Sequence, residues 1–460
     1  MNFLRRGVDA WRKDHLLGRV VRNSSYLFIS NAISAVLSIV TANLLGVVDF
    51  GLLGIIIAFI SNANRLLSFR MSELVVKYVG EALVSGDKEK AAAIVKTAGG
   101  IEAITSLAAY AIVLLLSPLA ARFIAHDPSY TPLFYIYGIS ILTHFASETA
   151  TGVLQVSGHF RSQAFINLIQ SVVTALGIVF AYYTHSGILT VLLAYLMGKV
   201  ILGLAPIFVA LYWLPRYLYP GWSRSKYSLR SQFGELLRFG LSTNFSGTIN
   251  MVARDSEVLW VGYFFSPMVA GLFKTALAII NLVVMPITPF ISTTYPEITQ
   301  SVAARQWLRL KNLLRRVSML SATWTVAVAT GLILFGRQLL FNPIMVFGKT
   351  FSVYTSEFLP SFPILLVLLV GFGFANTFFW NRPLLLAFNK ADYALWAAFV
   401  VMLAKVCLAL VLLPGAGYMT EAWLLSGYFV ITVGAMLWRG LSCLVKESAR
   451  QQTSVAINPS

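Results

Sequence analysis

Long apolar runs alternate along this chain with short clusters of lysine and arginine, and the clusters differ sharply in strength. Six of the 35 Lys and Arg precede the first run: Arg5, Arg6, Arg12, Lys13, Arg19 and Arg22. Thereafter every second connection is basic and the ones between are nearly bare. A chain that threads a bilayer as helices shows this pattern, because loops rich in Lys and Arg stay on the cytoplasmic side. Composition agrees, with 58% hydrophobic residues, 12% charged residues and a mean hydropathy of +0.76. A soluble domain averages about 45–50% apolar and about 25% charged. The net charge of +17 comes from residues flanking apolar runs, which suits anionic lipid headgroups. Nucleic-acid binding is not expected, since its basic residues gather on one face of a soluble domain.

A spanning helix needs roughly 20 mainly apolar residues. Such runs lie near 24–45, 50–80, 97–120, 131–156, 163–184 and 187–214, and again near 239–263, 268–298, 317–341, 358–381, 392–414 and 420–443. With the N-terminus inside, 26 Lys and Arg fall in cytoplasmic segments and only Arg122, Arg337 and Lys349 in external loops. One missed helix would invert every later loop, so the bias predicts twelve spans with both termini cytoplasmic. The basic N-terminal stretch leads into an apolar run too long for a cleavable signal, and it reads as a retained first helix. Cys407 and Cys443 lie in or beside separate spans, with no disulfide or metal spacing.

The two halves resemble each other. LGVVDFGLLG at 45–54 recurs as FFSPMVAGLFKTA at 264–276, aligning Gly51 with Gly271, and Gly187 aligns further on with Gly417. Six helices per half put the repeats in the same topology, related by an axis along the membrane normal. The expected organisation is a six-helix bundle over 1–214, a basic cytoplasmic linker over 215–238, a second bundle over 239–443 and a tail without order over 444–460.

Apart from Lys77, Arg337 and Arg439 at span ends, six basic residues fall inside the expected spans: Arg65, Arg70, Lys199, Arg254, Lys274 and Lys405. Each costs at least ~2.5–3.5 kcal/mol on insertion scales, so each needs a partner or a water-filled cavity. Acidic companions at membrane depth are Glu73, Glu148, Asp255 and Glu257, with Glu102 and Glu297 nearer helix ends. At 100° per residue, Asn62, Arg65, Arg70, Glu73 and Lys77 share one face of the second span. That face looks into a cavity, or its lower part forms interfacial ion pairs. On the seventh span Ser246, Asn250, Arg254 and Glu257 share a face, with Asp255 beside it. Arg254 and Glu257 are three apart and can pair, either as a structural lock or as acids tuning an anion-binding arginine. Lys274 either snorkels to external headgroups or faces the cavity. Lys199 and Lys405 read as structural or interfacial. Glu148, flanked by Ser147 and Thr149, is a polar helix contact or a proton or cation site.

The stretch from Asp255 through VGYFFSPMVAGLFKTA to TTYPEITQ (293–300), with LGVVDFGLLG and LLPGAGYMTEAWLLSG (412–427), resembles the polysaccharide transporters of the MOP superfamily. These are MATE-like proteins that include O-antigen and other lipid-linked oligosaccharide flippases. Tyr418-Met419-Thr420-Glu421 departs from the family's small residues in the last hairpin. The resemblance implies an all-α polytopic membrane protein, with about twelve transmembrane helices in two six-helix bundles related by pseudo-two-fold symmetry. It implies a lipid-linked oligosaccharide as cargo, membrane lipids and polysaccharide assembly proteins as partners, and the cytoplasmic (inner) membrane as location.

The residues themselves speak against an enzyme. Five histidines share no metal spacing, no Gly-rich phosphate loop exists, and no loop exceeds about 20 residues, so no cofactor or metal is expected. Within transport, cavity sign discriminates. Arg65, Arg70 and Arg254, with Lys274, favour an anionic substrate such as a diphosphate, which arginine can grip bidentately. Asn62 and Asn250 are expected to line the same cavity. A cation-coupled multidrug antiporter, or a flippase for another anionic lipid such as a peptidoglycan precursor, stays open as an alternative.

Overall fold

A computed structural model describes residues 15–67, 71–225, 227–230, 233–342, 344–346 and 349–457; Arg70 lies outside the described residues. The chain is helical almost throughout. The helices are α1 (His15–Leu67), α2 (Met71–Val84), α3 (Lys88–Phe123), α4 (Thr131–Thr143), α5 (Ser147–Val156), α6 (Phe160–Tyr183) and α7 (Ile188–Tyr217). They continue as α8 (Phe233–Asn250), a π-helical turn (Met251–Asp255), α9 (Glu257–Phe264), α10 (Pro267–Val284) and α11 (Thr288–Ala303). The series closes with α12 (Trp307–Gly331), α13 (Arg337–Phe341), α14 (Ser361–Thr377), α15 (Asn381–Ala387), α16 (Ala391–Leu412) and α17 (Met419–Ile457). A short antiparallel hairpin, β1 (Ile344–Val346) with β2 (Lys349–Phe351), pairs Ile344 with Phe351.

Among the described residues nine helices are long and apolar enough to cross a membrane. Twelve spans were expected, and the difference has local causes among the described residues. The first two fall in one apolar stretch, Ala32–Val84, which Gly46 breaks at φ 72° and ψ 175°. Only glycine adopts that conformation without strain, so Gly46 divides α1 into two arms near the LGVVDFGLLG turn. The fourth and seventh expected spans are interrupted, at residues 144–146 and by the π-helical turn. In a bilayer such breaks persist only where other groups satisfy the freed backbone.

Two compact units emerge, residues 32–274 and residues 275–457 with 15–31. The division falls at Lys274/Thr275, inside α10, and not in the basic stretch 215–238 expected as the linker. That stretch is packed: Leu218, Leu229 and Leu236 join a core with Leu74, Val75, Tyr78 and Ala92 to Val95. Tyr78 Oη donates to Glu235 Oε1 at 3.0 Å. Within this first unit α6 packs along α7 and α2 along α5. The second arm of α1 crosses α10 so closely that Gly51 and Gly271, the residues aligned by the internal repeat, lie against each other. A Cβ on Gly51 would meet the Pro267 carbonyl oxygen at 1.8 Å, and one on Gly271 the Val47 carbonyl oxygen at 2.1 Å.

In the second unit, α14 packs on α17 and α12, and hydrogen bonds tie the helices where lipid offers no alternative. Asn376 donates to Thr325 Oγ1 at 2.8 Å, Ser321 to the Thr377 carbonyl at 3.0 Å, and Trp324 Nε1 to the Val283 carbonyl at 2.9 Å. The tail expected to lack order instead prolongs α17 to Ile457, with Arg450 and Glu447 paired at 3.0 Å one turn apart.

Lys405 on α16 and Glu421 on α17 form an ion pair at 3.0 Å with side chains 4% and 0% exposed. Glu421 belongs to the segment that departs from the family pattern, and the departure supplies the counter-charge for Lys405. Stripping one partner from such a pair leaves a buried charge and costs about 3–5 kcal/mol. Lys405→Met is therefore expected to lower thermal stability in detergent strongly. Adding Glu421→Leu should recover most of the loss; an equally unstable double variant would refute the pairing.

Candidate functional site

The π-helical turn at Met251–Asp255 sets the geometry of the site. A π turn inserts one residue into the α-helical phase and tends to mark working segments. Here it brings Arg254, Asp255 and Ser256 toward the second arm of α1. Arg65 Nη1 lies 2.6 Å from Asp255 Oδ2, and Arg254 Nε lies 2.8 Å from Asp255 Oδ1. One carboxylate thus bridges two guanidinium groups. Beside it Asn62 donates to Ser256 Oγ at 2.9 Å, Ser256 donates to the Met251 carbonyl at 2.8 Å, and Asn244 donates to the Leu66 carbonyl at 3.0 Å. These bonds fasten α1 to α8 and α9 within the first unit.

The arginine side chains are 59% and 47% exposed. Exposed ion pairs contribute about 0–1 kcal/mol, while each charge placed at membrane depth costs at least ~2.5 kcal/mol. Stability alone does not account for them. Arg65 contacts Asp255 through Nη1 and Arg254 through Nε, which leaves Nη2 and Nε of Arg65 and both Nη groups of Arg254 as further donors, and the trio carries a net positive charge. The arrangement can bind an anionic group with several oxygens.

The other expected site residues are placed as follows. Arg254 pairs with its neighbour Asp255, and Glu257 is fully buried at the start of α9. Asn250 donates to the Ser246 carbonyl in its own helix at 3.1 Å. Lys274 points at Phe50, its ammonium 3.1 Å from the carbonyl oxygen and 3.9 Å from the ring centroid. Glu73 is exposed in the first turn of α2, and Glu148 on α5 accepts a short hydrogen bond from Ser72.

A polar cavity of about 190 Å³ opens beside Arg65 and is lined also by Glu102, Tyr137, His144, Glu148 and Lys199. Glu102, 3% exposed, accepts the backbone N–H groups of Glu148 at 2.8 Å and Thr149 at 2.9 Å. It caps α5, whose first amides have no partner within the helix, and its charge suits a helix N-terminus. In the sequence Glu102 stands out only as an acid near a helix end. Nothing in sequence pointed to Ser256, to Tyr137 or to the break before α5.

The helices define a polytopic, all-α membrane protein, and its fold is shared with MATE-family transporters. The chain belongs to the polysaccharide biosynthesis protein family, whose model matches residues 40–354. An inner membrane protein of Escherichia coli (strain K12), YghQ, is 22% identical over 354 residues, covering 74% of this chain and 96% of that protein. Among solved structures, the lipid II flippase MurJ in an inward-closed conformation aligns with a TM-score of 0.72 and 15% identity, over 95% of this chain and 92% of that one. An inward-facing multidrug transporter of the MATE family aligns at 0.71 and 14%, over 91% and 96%.

Proposed function

We propose that the protein is a flippase that carries a polyprenyl-diphosphate-linked oligosaccharide from the inner to the outer leaflet of the cytoplasmic membrane by alternating access. The observation that carries this reading is the exposed Arg65–Asp255–Arg254 cluster. A diphosphate cannot cross bare hydrocarbon at useful rates, and guanidinium groups in a hydrated cavity lower that barrier. The polyprenyl tail stays in lipid while the charged head enters the cavity. Membership of a polysaccharide biosynthesis family supports a sugar-bearing cargo, and the likeness to a lipid II flippase supports a lipid-linked one. In this reading the bias of basic loops sets both termini on the cytoplasmic side.

Arg65→Ala and Arg254→Ala, each with a Lys counterpart, test it in proteoliposomes with a fluorescent lipid-linked oligosaccharide. A lost charge-assisted hydrogen bond is worth about 1.5–3 kcal/mol, so each alanine variant should slow flipping about tenfold or more. Wild-type rates in both folded alanine variants would refute the proposal. The shared fold of the multidrug transporter motivates a parallel measurement of organic-cation efflux. Efflux abolished by Glu148→Gln or Asp255→Asn would favour the antiporter.

A further inference from the structure

We propose that the end of the α6–α7 pair that carries Arg161 and Arg216 is a binding site for an anionic phospholipid of the surrounding bilayer. The two helices pack side by side, and α6 begins where α7 stops. Each carries an exposed stripe at four-residue steps, which keep to one helix face. On α6 the stripe is Arg161, Phe165 and Ile169; on α7, from its end inward, it is Arg216, Tyr212 and Phe208. Acyl chains can cover the apolar part of each stripe, and one guanidinium closes it at the bilayer surface. Among the described residues neither arginine has a hydrogen bond or an ion pair. No Asp or Glu occurs between Glu148 and Glu235. Glu148 accepts Ser72 at the far end of α5, about 12 Å along the axis from Val156. Leu214 and Leu218 bury the other face of α7 against α2 and α3, so Arg216, between them in sequence, faces away from the acids of those helices.

Arg216 is also held in place. Its guanidinium lies 4.1 Å over the Tyr212 ring and 5.5 Å from that of Trp213, and His159 packs on Trp213 at 4.2 Å. Tyr217 Oη donates to the Val156 carbonyl at 3.2 Å, which ties the turn bearing His159 and Arg161 to the last turn of α7. A guanidinium over a ring keeps its in-plane N–H donors, and these match phosphate oxygens bidentately. Tyrosine and tryptophan at headgroup level are ordinary in membrane proteins; a stacked arginine with unused donors, a second arginine on the adjoining helix and no acid between them are not. A zwitterionic headgroup would set its own ammonium against both arginines, so a net negative one fits better. In the orientation proposed above this end meets the cytoplasmic leaflet, whose lipids carry negative charge.

The test uses the full-length protein in detergent with no lipid-linked substrate, so its outcome is independent of the cargo. Native mass spectrometry counts bound lipid while phosphatidylglycerol or phosphatidylcholine with the same chains is titrated. The first phosphatidylglycerol should bind about tenfold or more tighter than the first phosphatidylcholine. Arg161→Gln combined with Arg216→Gln should abolish that preference. Each single variant should lose part of it, so the result does not depend on the double variant folding. Arg216→Lys keeps the charge without the stacked fork and should fall between. Lys311→Gln with Arg315→Gln, exposed residues of α12, removes the same charge elsewhere and should leave the preference intact, which separates a site from general attraction. Equal affinity for the two lipids in wild type, or an undiminished preference without Arg161 and Arg216, overturns the inference. So does a short-chain prenyl diphosphate that binds more tightly than phosphatidylglycerol and is lost in the same variants, because this end would then belong to the cargo.

Discussion

Gly51→Val is expected to leave almost no monodisperse protein after extraction, and Gly271→Val to fail in the same way. The added Cβ would lie 1.8 Å from the Pro267 carbonyl oxygen in the first case and 2.1 Å from the Val47 carbonyl oxygen in the second. Both obstacles are backbone, so no side chain can swing aside, and two helices must separate by more than an ångström. Overpacking in a tight core costs about 1–3 kcal/mol when side chains can yield; a backbone collision at this range exceeds that. Two controls separate the crossing from a general intolerance of substitution. Gly54→Ala meets only Val258 Cγ1 at 3.2 Å and the flexible Lys274 chain, whose Cδ lies at 2.8 Å, and it should cost little. Gly80→Ala meets nothing within 4 Å and should be neutral. Fluorescence-detected size exclusion with a thermal ramp reads all four. A folded Gly51→Val of wild-type stability would mean that the α1–α10 crossing is not formed as described.

These two glycines also show what the sequence could and could not convey. The internal repeat aligned Gly51 with Gly271, and small residues in a membrane helix signal close packing. Repetition alone did not say that the pair packs against itself. Helix positions were legible because each span must satisfy its backbone internally and cover itself with apolar side chains. Breaks were less so: Gly46 carries a visible glycine, but the interruption at residues 144–146 has neither glycine nor proline. It is held open by Glu102 from another helix, a long-range contact that no local pattern encodes. The tail from 444 onward looked unordered because it is polar, yet Lys446, Glu447 and Arg450 are good helix formers that prolong α17.

Arg254 illustrates the same limit at the site. On an ideal α-helix Arg254 and Glu257 share a face. The extra residue of the π-helical turn shifts that phase, so the contact observed for Arg254 is Asp255, which also receives Arg65 from a helix 190 positions earlier in sequence. A period of 3.6 finds polar faces; it does not find a change of period. Composition and loop charge revealed the membrane architecture, and the excess charges revealed where to look. Which carboxylate meets which arginine depended on tertiary structure.

Asp255→Asn should separate binding from transport. The amide keeps the size of the side chain and can still accept one arginine N–H, but the negative charge between Arg65 and Arg254 is gone. A lipid diphosphate then becomes the counter-ion of both guanidinium groups without displacing a carboxylate. Affinity for a short-chain prenyl diphosphate, read by tryptophan fluorescence, should rise about tenfold, equivalent to ~1.4 kcal/mol. Transport should fall by a similar factor, because release to the far leaflet would leave two cations uncompensated where Asp255 otherwise reclaims them. Tighter binding with slower flipping is the outcome expected of a carboxylate that competes with substrate. A carboxylate that merely locks α1 to the π-helical turn predicts something else: weaker binding, slower flipping and a lower melting temperature together. High salt sharpens the distinction, since the pairs at Asp255 are exposed and screened, and salt should narrow the affinity gap between Asp255→Asn and wild type. If Asp255→Asn binds the diphosphate more weakly than wild type while remaining folded, the two arginines are not a diphosphate site gated by Asp255.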